Sequence, residues 1–148
     1  MTKVLLLSAI VFGAGIGIPT MAAINANLGG KLGSPVLATV ILMALGFALS
    51  ASYLLFFQGV PNWPEKTPPL WTFAGGFFVV FYVLSVTAIA PIIGLGNAIF
   101  LVLLGQIVAT TTIDHFGFFG AIQDEVSLRK IGGIVLMIVG IMLARKIS

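Results

Sequence analysis

Long apolar runs follow one another along the chain, separated by short segments rich in glycine, proline or charge. A helix needs about 20 apolar residues to cross the hydrocarbon core of a bilayer. Five runs reach or approach that length, and each predicts one membrane-spanning helix. We place these helices at residues 4–28, 35–57, 70–90, 92–113 and 128–147. The predicted fold class is an all-α integral membrane protein, in which residues 1–148 form one transmembrane domain.

The first run also has features of a secretory signal peptide, because Lys3 precedes it and the small residues Ala22, Ala23 and Ala26 lie near its end. The apolar core of a signal peptide is shorter, about 7–15 residues. Since this run is longer and further apolar runs follow it, we interpret it as the first span.

Composition excludes a soluble protein. Hydrophobic residues make up 59% of the chain and charged residues 7%, whereas soluble domains carry about 25% charged residues. The net charge is +3, but the basic residues are scattered, so we expect no nucleic-acid partner. Cysteine is absent and there is one histidine, which argues against a metal site, a cofactor or a catalytic set. The expectation is a protein that is not an enzyme.

A glycine-rich stretch at residues 13–19 interrupts the first span and ends in Pro19. Four-residue spacing of small residues permits close approach of a second helix, and proline removes a backbone donor. One interpretation is therefore a packing face with a kink. The other is a locally broken helix near mid-membrane, a common substrate site in transporters. In that case Gly15, Gly17 and Asn25 would lie along the substrate or coupling-ion pathway.

The fourth span carries the polar residues that are costliest to place in lipid. Gln106, Thr110 and Asp114 are spaced by four, so they share one stripe of the helix. A buried amide is unfavourable unless it finds a hydrogen-bond partner, so we expect this stripe to face the bundle interior or a cavity. We assign these three residues to the substrate or coupling-ion pathway. The alternative for Gln106 is a hydrogen bond between helices.

Asp114 lies at the carboxyl end of its helix, where the macrodipole disfavours an anion. We expect compensation from water, a cation, a proton or a base on the same side, such as His115, Lys3, Arg129 or Lys130. Intramembrane ionisable groups are functional candidates. The alternative is a solvated interfacial acid that ends the helix. His115 is either an interfacial packing residue beside an aromatic cluster or part of a proton relay.

Two features point to self-assembly. Gly133 and Gly140 form a small-residue face on the fifth helix, which we predict to pack in a dimer. With five spans, four basic residues lie on the N-terminal side and three on the other, so charge barely biases insertion. The chain could insert with its N-terminus inside, or in both orientations with an inverted copy as partner.

The sequence resembles the YdcZ-like proteins, small bacterial inner-membrane proteins of the drug/metabolite transporter superfamily. The stretches that carry the resemblance are residues 13–19, 25–28, 33–35, 75–79, 91–94, 105–106, 113–117 and 132–140. Their order and spacing, which cover nearly the whole chain, are more specific than any single motif. The resemblance implies a half-transporter of five helices, whose larger relatives are ten-helix inverted repeats.

The resemblance further implies a homodimer or a paired half-transporter chain, and movement of a small molecule by alternating access. It marks Asn25, Gln106 and Asp114 as motif positions. This chain departs from the family pattern at Met21, where members often have a glutamine. The superfamily's small multidrug exporters use a glutamate in the first span to exchange protons for organic cations. No acid occurs in residues 4–28, which weakens a cation-exporter interpretation.

We therefore predict a secondary transporter of a small metabolite or drug-like molecule in the bacterial inner membrane, acting as a dimer. Parallel, antiparallel and mixed-chain assemblies stay open. Proton coupling through Asp114 is an additional hypothesis. The alternative is a non-transporting membrane assembly or partner subunit.

Overall fold

The computed structural model describes residues 2–62 and 64–144, and within these ranges all regular structure is helical. Three shorter helical segments accompany the long helices: a π-helical turn at Leu54–Gln58 and 3₁₀ turns at Leu70–Ala74 and Phe118–Gly120. The long helices are α1 (Thr2–Leu32), α2 (Pro35–Tyr53), α3 (Gly75–Ile93), α4 (Leu95–Phe116) and α5 (Leu128–Ala144).

Among the described residues, four helical segments are long and apolar enough to cross a membrane: Lys3–Leu32, Pro35–Gln58, Leu70–Ile93 and Leu95–Phe116. They overlap the first four predicted spans, with shifted ends. The described part of α5 has 17 residues, about 26 Å of helix, somewhat less than the thickness of a hydrocarbon core. The predicted end of the fifth span, residues 145–147, lies outside the described residues. Its crossing of the membrane stays a prediction.

The chain divides after Ile92 into two compact units. The first contains α1, α2 and almost all of α3, and the second contains α4, α5 and the segment between them. That both units together form one transmembrane domain stays a prediction.

Tight packing in the first unit occurs where the end of α1, the start of α2 and the end of α3 meet. Asn25 is only 2% exposed, and its Nδ2 donates a 2.7 Å hydrogen bond to Oγ1 of Thr87, which is also 2% exposed. Small and β-branched side chains complete this packed end: Ala22, Ala38, Thr39, Val83, Val86 and Ala90. Because the side chains are small, the helix backbones can approach closely.

The opposite halves of the same helices have few contacts within the chain. On α1, residues 3–18 are exposed throughout. Residues 44–50 of α2 are exposed as well, and so are residues 70–81, which form the 3₁₀ turn at Leu70–Ala74 and the start of α3. Large apolar side chains are included, such as Phe12, Phe47 and Phe77, each about 70% exposed. We call this region the open half of the first unit. In a bilayer it must be covered by lipid or by a second protein chain.

The first helix is longer than predicted, because it continues through Gly29 and Gly30, past the predicted end of the first span at residue 28. Gly29 is buried in α1, and a Cβ at this position would lie 3.3 Å from Pro35 Cα and 3.3 Å from Thr87 Cγ2. Gly29 is therefore a packing position rather than a turn position. The turn between α1 and α2 is confined to Gly33, at φ +64°, and Ser34, whose hydroxyl accepts a hydrogen bond from Leu37 N as an N-cap.

Pro19 does not interrupt α1. The helix runs from Thr2 to Leu32 with this proline inside, so the local break that one of our two interpretations proposed is absent. Proline nevertheless has no backbone N–H, so the Gly15 carbonyl loses its usual helical donor.

Pro91 does not end α3 either, which continues to Ile93. The chain turns at Gly94, where φ is +87° and glycine is favoured. The fourth helix consequently begins at Leu95 instead of residue 92. It ends at Phe116 instead of residue 113, because Gly117 adopts the left-handed conformation that commonly follows a helix.

Adjacent glycines in α1 allow a matched test of this packing. We expect Gly29→Ala to destabilise the protein, because its Cβ would press on Pro35 and Thr87. Gly30→Ala should stabilise it by up to about 1 kcal/mol, because Gly30 has no atom within 4 Å of a Cβ and alanine favours the helix. Thermal unfolding of the purified variants measures both. Equal effects of the two substitutions would contradict the packing role of Gly29.

Candidate functional site

The predicted polar stripe of α4 is not buried within the chain. Gln106 and Thr110 are exposed, and the Gln106 amide makes no hydrogen bond to another described residue. Thr110 Oγ1 donates to its own helix, 2.8 Å from Gln106 O. The described residues of this chain therefore do not provide the interior that we expected for the stripe. An amide exposed on an apolar helix needs a partner from outside the chain or a position in contact with water.

Asp114 has the basic partner that its position at the end of α4 requires. Its side chain is 39% exposed, and its Oδ2 lies 3.6 Å from Lys130 Nζ. The same ammonium donates a 3.0 Å hydrogen bond to Asp124 Oδ2. Of the four bases considered from the sequence, Lys130 is thus the one that pairs with Asp114. One cation between two carboxylates also offsets the unfavourable interaction of Asp114 with the helix dipole.

The segment after α4 folds back over the end of this helix. Asp124 N donates to Asp114 O at 2.9 Å, and Gln123 Nε2 donates to His115 O at 3.0 Å. The last carbonyls of a helix lack intrahelical donors, and these two contacts supply them. The α4–α5 segment is therefore a folded cap on α4, held by backbone hydrogen bonds and by Lys130.

His115 belongs to this cap. Its Nδ1 accepts a 3.3 Å hydrogen bond from Val126 N. Its ring meets Phe116 edge to face, with centroids 4.7 Å apart, and Phe116 stacks on Phe118. This geometry fits the packing interpretation of His115. It offers no described partner that would extend a proton relay from the ring.

The candidate residues of α1 differ sharply in burial. Asn25 is buried and bonded to Thr87, as described above. Gly15 and Gly17 are exposed, with no atom within 4 Å of a Cβ at either position. Gly15 is seven residues from Ala22 and fourteen from Gly29, so it lies on the face of α1 that is packed further along. That face is thus buried at Ala22 and Gly29, and uncovered at Gly15.

The predicted dimer-packing glycines of α5 are both uncovered, with nothing within 4 Å of a Cβ at Gly133 or Gly140. Gly140 lines an open apolar groove of about 290 Å³ between α4 and α5. Its other lining residues include Phe100 and Leu103 of α4 and Met137 of α5. The structure thus leaves this small-residue face accessible to another helix.

Two polar residues of α3 were not singled out by sequence reasoning. Thr87 is the buried partner of Asn25. Tyr82 has a hydroxyl that is shielded from solvent and has no hydrogen-bond partner among the described residues. One signal could have indicated Thr87. It lies four residues before Pro91, and because proline has no backbone N–H, the Thr87 carbonyl loses its helical donor. Uncharged hydroxyls are otherwise unremarkable in an apolar span.

A family model described as "Putative inner membrane exporter, YdcZ" matches residues 6–143. The chain belongs to the YdcZ family. The match includes Asn25, Gln106 and Asp114, and it identifies a multi-pass protein of the inner membrane. Family membership and the apolar helices support a membrane transporter rather than an enzyme. No curated protein and no solved structure matches the chain.

Proposed function

We propose that this YdcZ-family chain is a secondary transporter that moves a small metabolite or drug-like molecule across the inner membrane by alternating access. The observation that carries the proposal furthest is the exposed Gln106 amide on the apolar helix α4. In lipid such a group is unfavourable, so it must face a partner or an aqueous pathway. The family description favours the pathway, because it concerns export.

The same observation supports a dimer as the transporting species. One chain leaves three surfaces uncovered: the polar Gln106 stripe, the apolar open half of the first unit, and the small-residue face with Gly133 and Gly140. A second half-sized chain could cover them. The nearly balanced distribution of basic residues favours an antiparallel homodimer with dual topology over a parallel one. A pair with a different half-transporter chain satisfies the same requirements.

Proton coupling through Asp114 is the second part of the proposal. The ionised carboxylate pairs with Lys130, which also binds Asp124 in the α4–α5 cap. Proton uptake by Asp114 would remove its charge and leave Lys130 with a single carboxylate. The cap would be held less firmly on α4, which links a protonation event to a conformational change.

The alternative function is a non-transporting assembly or partner subunit. The exposed apolar surfaces of the first unit also favour this function, since a protein partner could bind to them. The two functions differ in what the Gln106 amide does. In a transporter its loss reduces flux, whereas in an assembly subunit its loss changes only stability or partner binding.

Cells with and without the chain can be compared by untargeted mass spectrometry of cells and medium. We expect a set of small molecules whose release depends on the chain. Gln106→Ala should reduce that release about tenfold, which corresponds to the loss of one or two hydrogen bonds. The matched control is Gln58→Ala, at the end of the second span, which should release these compounds normally.

Two outcomes would contradict the transporter. In the first, the release of no compound depends on the chain. In the second, cells with Gln106→Ala release every compound normally, and the substitution alters only the stability of the protein or the recovery of a partner protein. The second outcome would establish the assembly function instead.

The coupling hypothesis predicts that an imposed pH gradient drives transport of the compounds so identified in proteoliposomes. For one coupled proton, each pH unit changes the limiting concentration ratio by up to about tenfold. Asp114→Asn should remove this dependence, because the amide cannot take up the proton. Transport that ignores the gradient, together with normal transport by Asp114→Asn, would exclude coupling at this residue.

A further inference from the structure

His115 is the only histidine of the chain, and cysteine is absent. Histidine is the side chain whose charge ordinarily changes between about pH 5 and 8. His115 lies half-buried in the last turn of α4, where the α4–α5 cap folds back over the helix end. A titrating group in a contact between two segments can make that contact depend on pH.

The cap binds His115 through two hydrogen bonds. Gln123 Nε2 donates to the backbone carbonyl of His115 at 3.0 Å, and Val126 N donates to its Nδ1 at 3.3 Å. The first bond does not involve the ring. The second requires a neutral ring, because an imidazole nitrogen can accept a hydrogen bond only while it carries no proton.

Protonation of His115 removes the acceptor of Val126. Both nitrogens of a protonated imidazole are donors, so a ring N–H would then face the Val126 N–H. Turning the ring over would not restore the bond, since it would present a carbon in place of Nδ1. Val126 is only partly exposed, and an unpaired backbone N–H away from water is unfavourable. The segment would have to move for water to supply the missing partner.

The charged residues around His115 come from three elements. They are Asp114 on α4, Asp124 and Glu125 in the connecting segment, and Arg129 and Lys130 on α5. Among the described residues, Lys130 pairs with both aspartates. A positive charge on His115 would be attracted by Asp114 and by the carboxyl end of α4, and repelled by Lys130. The attraction favours a protonated ring on α4 and gives no acceptor back to Val126.

We propose that His115 makes closure of the α4–α5 cap depend on pH. The neutral ring binds Val126 and keeps the cap closed, whereas protonation releases residues 121–127 from the end of α4. The closed cap binds fewer protons at His115 than the open one. Closure is therefore favoured at high pH and is lost as the pH falls through the range in which the ring takes up a proton.

This device is separate from the proposed coupling through Asp114 and does not rest on the proposed transport function. It uses a different side chain and a different bond of the same cap. Opening would also expose the Asp114 carbonyl, which accepts from Asp124 N at 2.9 Å in the closed form. A change of pH on one side of the membrane would thus alter the end of a membrane-spanning helix.

Amide hydrogen exchange of the full chain in nanodiscs tests the proposal without any transport assay. Each rate is expressed relative to that of an unstructured amide at the same pH, so that the protection reports cap opening alone. We expect protection of the Val126 amide to fall by up to about tenfold from about pH 8 to about pH 5, which corresponds to one lost hydrogen bond. The reference is the Ala38 amide of the first unit, which donates to Ser34 O at 3.2 Å. Its protection should stay constant.

Two variants identify the titrating group. His115→Asn supplies an amide oxygen that accepts hydrogen bonds but does not titrate, so protection of Val126 should no longer depend on pH. Asp114→Asn removes the carboxylate that pairs with Lys130 but keeps the histidine. It should weaken the cap at every pH and retain the fall in protection toward acidic pH.

The unmodified chain decides first, because its result depends on no variant. Constant protection of Val126 between about pH 8 and 5 would overturn the proposal, and so would a parallel loss at Ala38, which would indicate unfolding of the whole chain. A fall that persists in His115→Asn and disappears in Asp114→Asn would assign the effect to the carboxylate and overturn the role of His115. A fall at Val126 alone that disappears in His115→Asn would support it.

Discussion

The packed end of the first unit contains one buried hydrogen bond between side chains of different helices, from Asn25 Nδ2 to Thr87 Oγ1. It joins α1 to α3 where both side chains are almost fully buried. Gly29, one turn further along α1, lets the same helices approach the start of α2. Breaking the bond would leave a buried amide unpaired, which costs more than the bond itself contributes. The packed end is therefore specified by polar pairing and by small residues together.

The first unit is tightly packed at one end only. On the N-terminal side of Ala22 in α1 and of Tyr82 in α3, the helices expose apolar surface that a soluble protein could not tolerate. Apart from Lys3 at the start of α1, the polar groups in this region are uncharged. The charges that do interact, Asp114, Asp124 and Lys130, lie in the second unit at the end of α4.

The sequence predicted the helical membrane fold and four of its spans, because apolar length alone determines where a helix can cross a bilayer. Helix ends were less predictable. Gly29 lies just outside the predicted first span, which we ended at residue 28, but in the structure it packs closely against Thr87 as part of α1. For Asp114 the sequence left water, a cation, a proton or one of four bases as the compensating group, and the folded cap places Lys130 against it. Tyr82 and Thr87 were overlooked because their roles arise from contacts between distant parts of the chain.

The most direct test of the account is a double-mutant cycle between Asn25→Ala and Thr87→Val, with the free energy of unfolding measured in detergent or nanodiscs. The predicted coupling energy is about 0.5–2 kcal/mol. The control cycle pairs Asn25→Ala with Thr39→Val, since the buried Thr39 hydroxyl bonds within its own helix, 2.9 Å from Pro35 O. That cycle should give less than about 0.5 kcal/mol. If the Asn25–Thr87 coupling is no larger than the control, the hydrogen bond does not hold α1 to α3, and the account of the first unit is wrong.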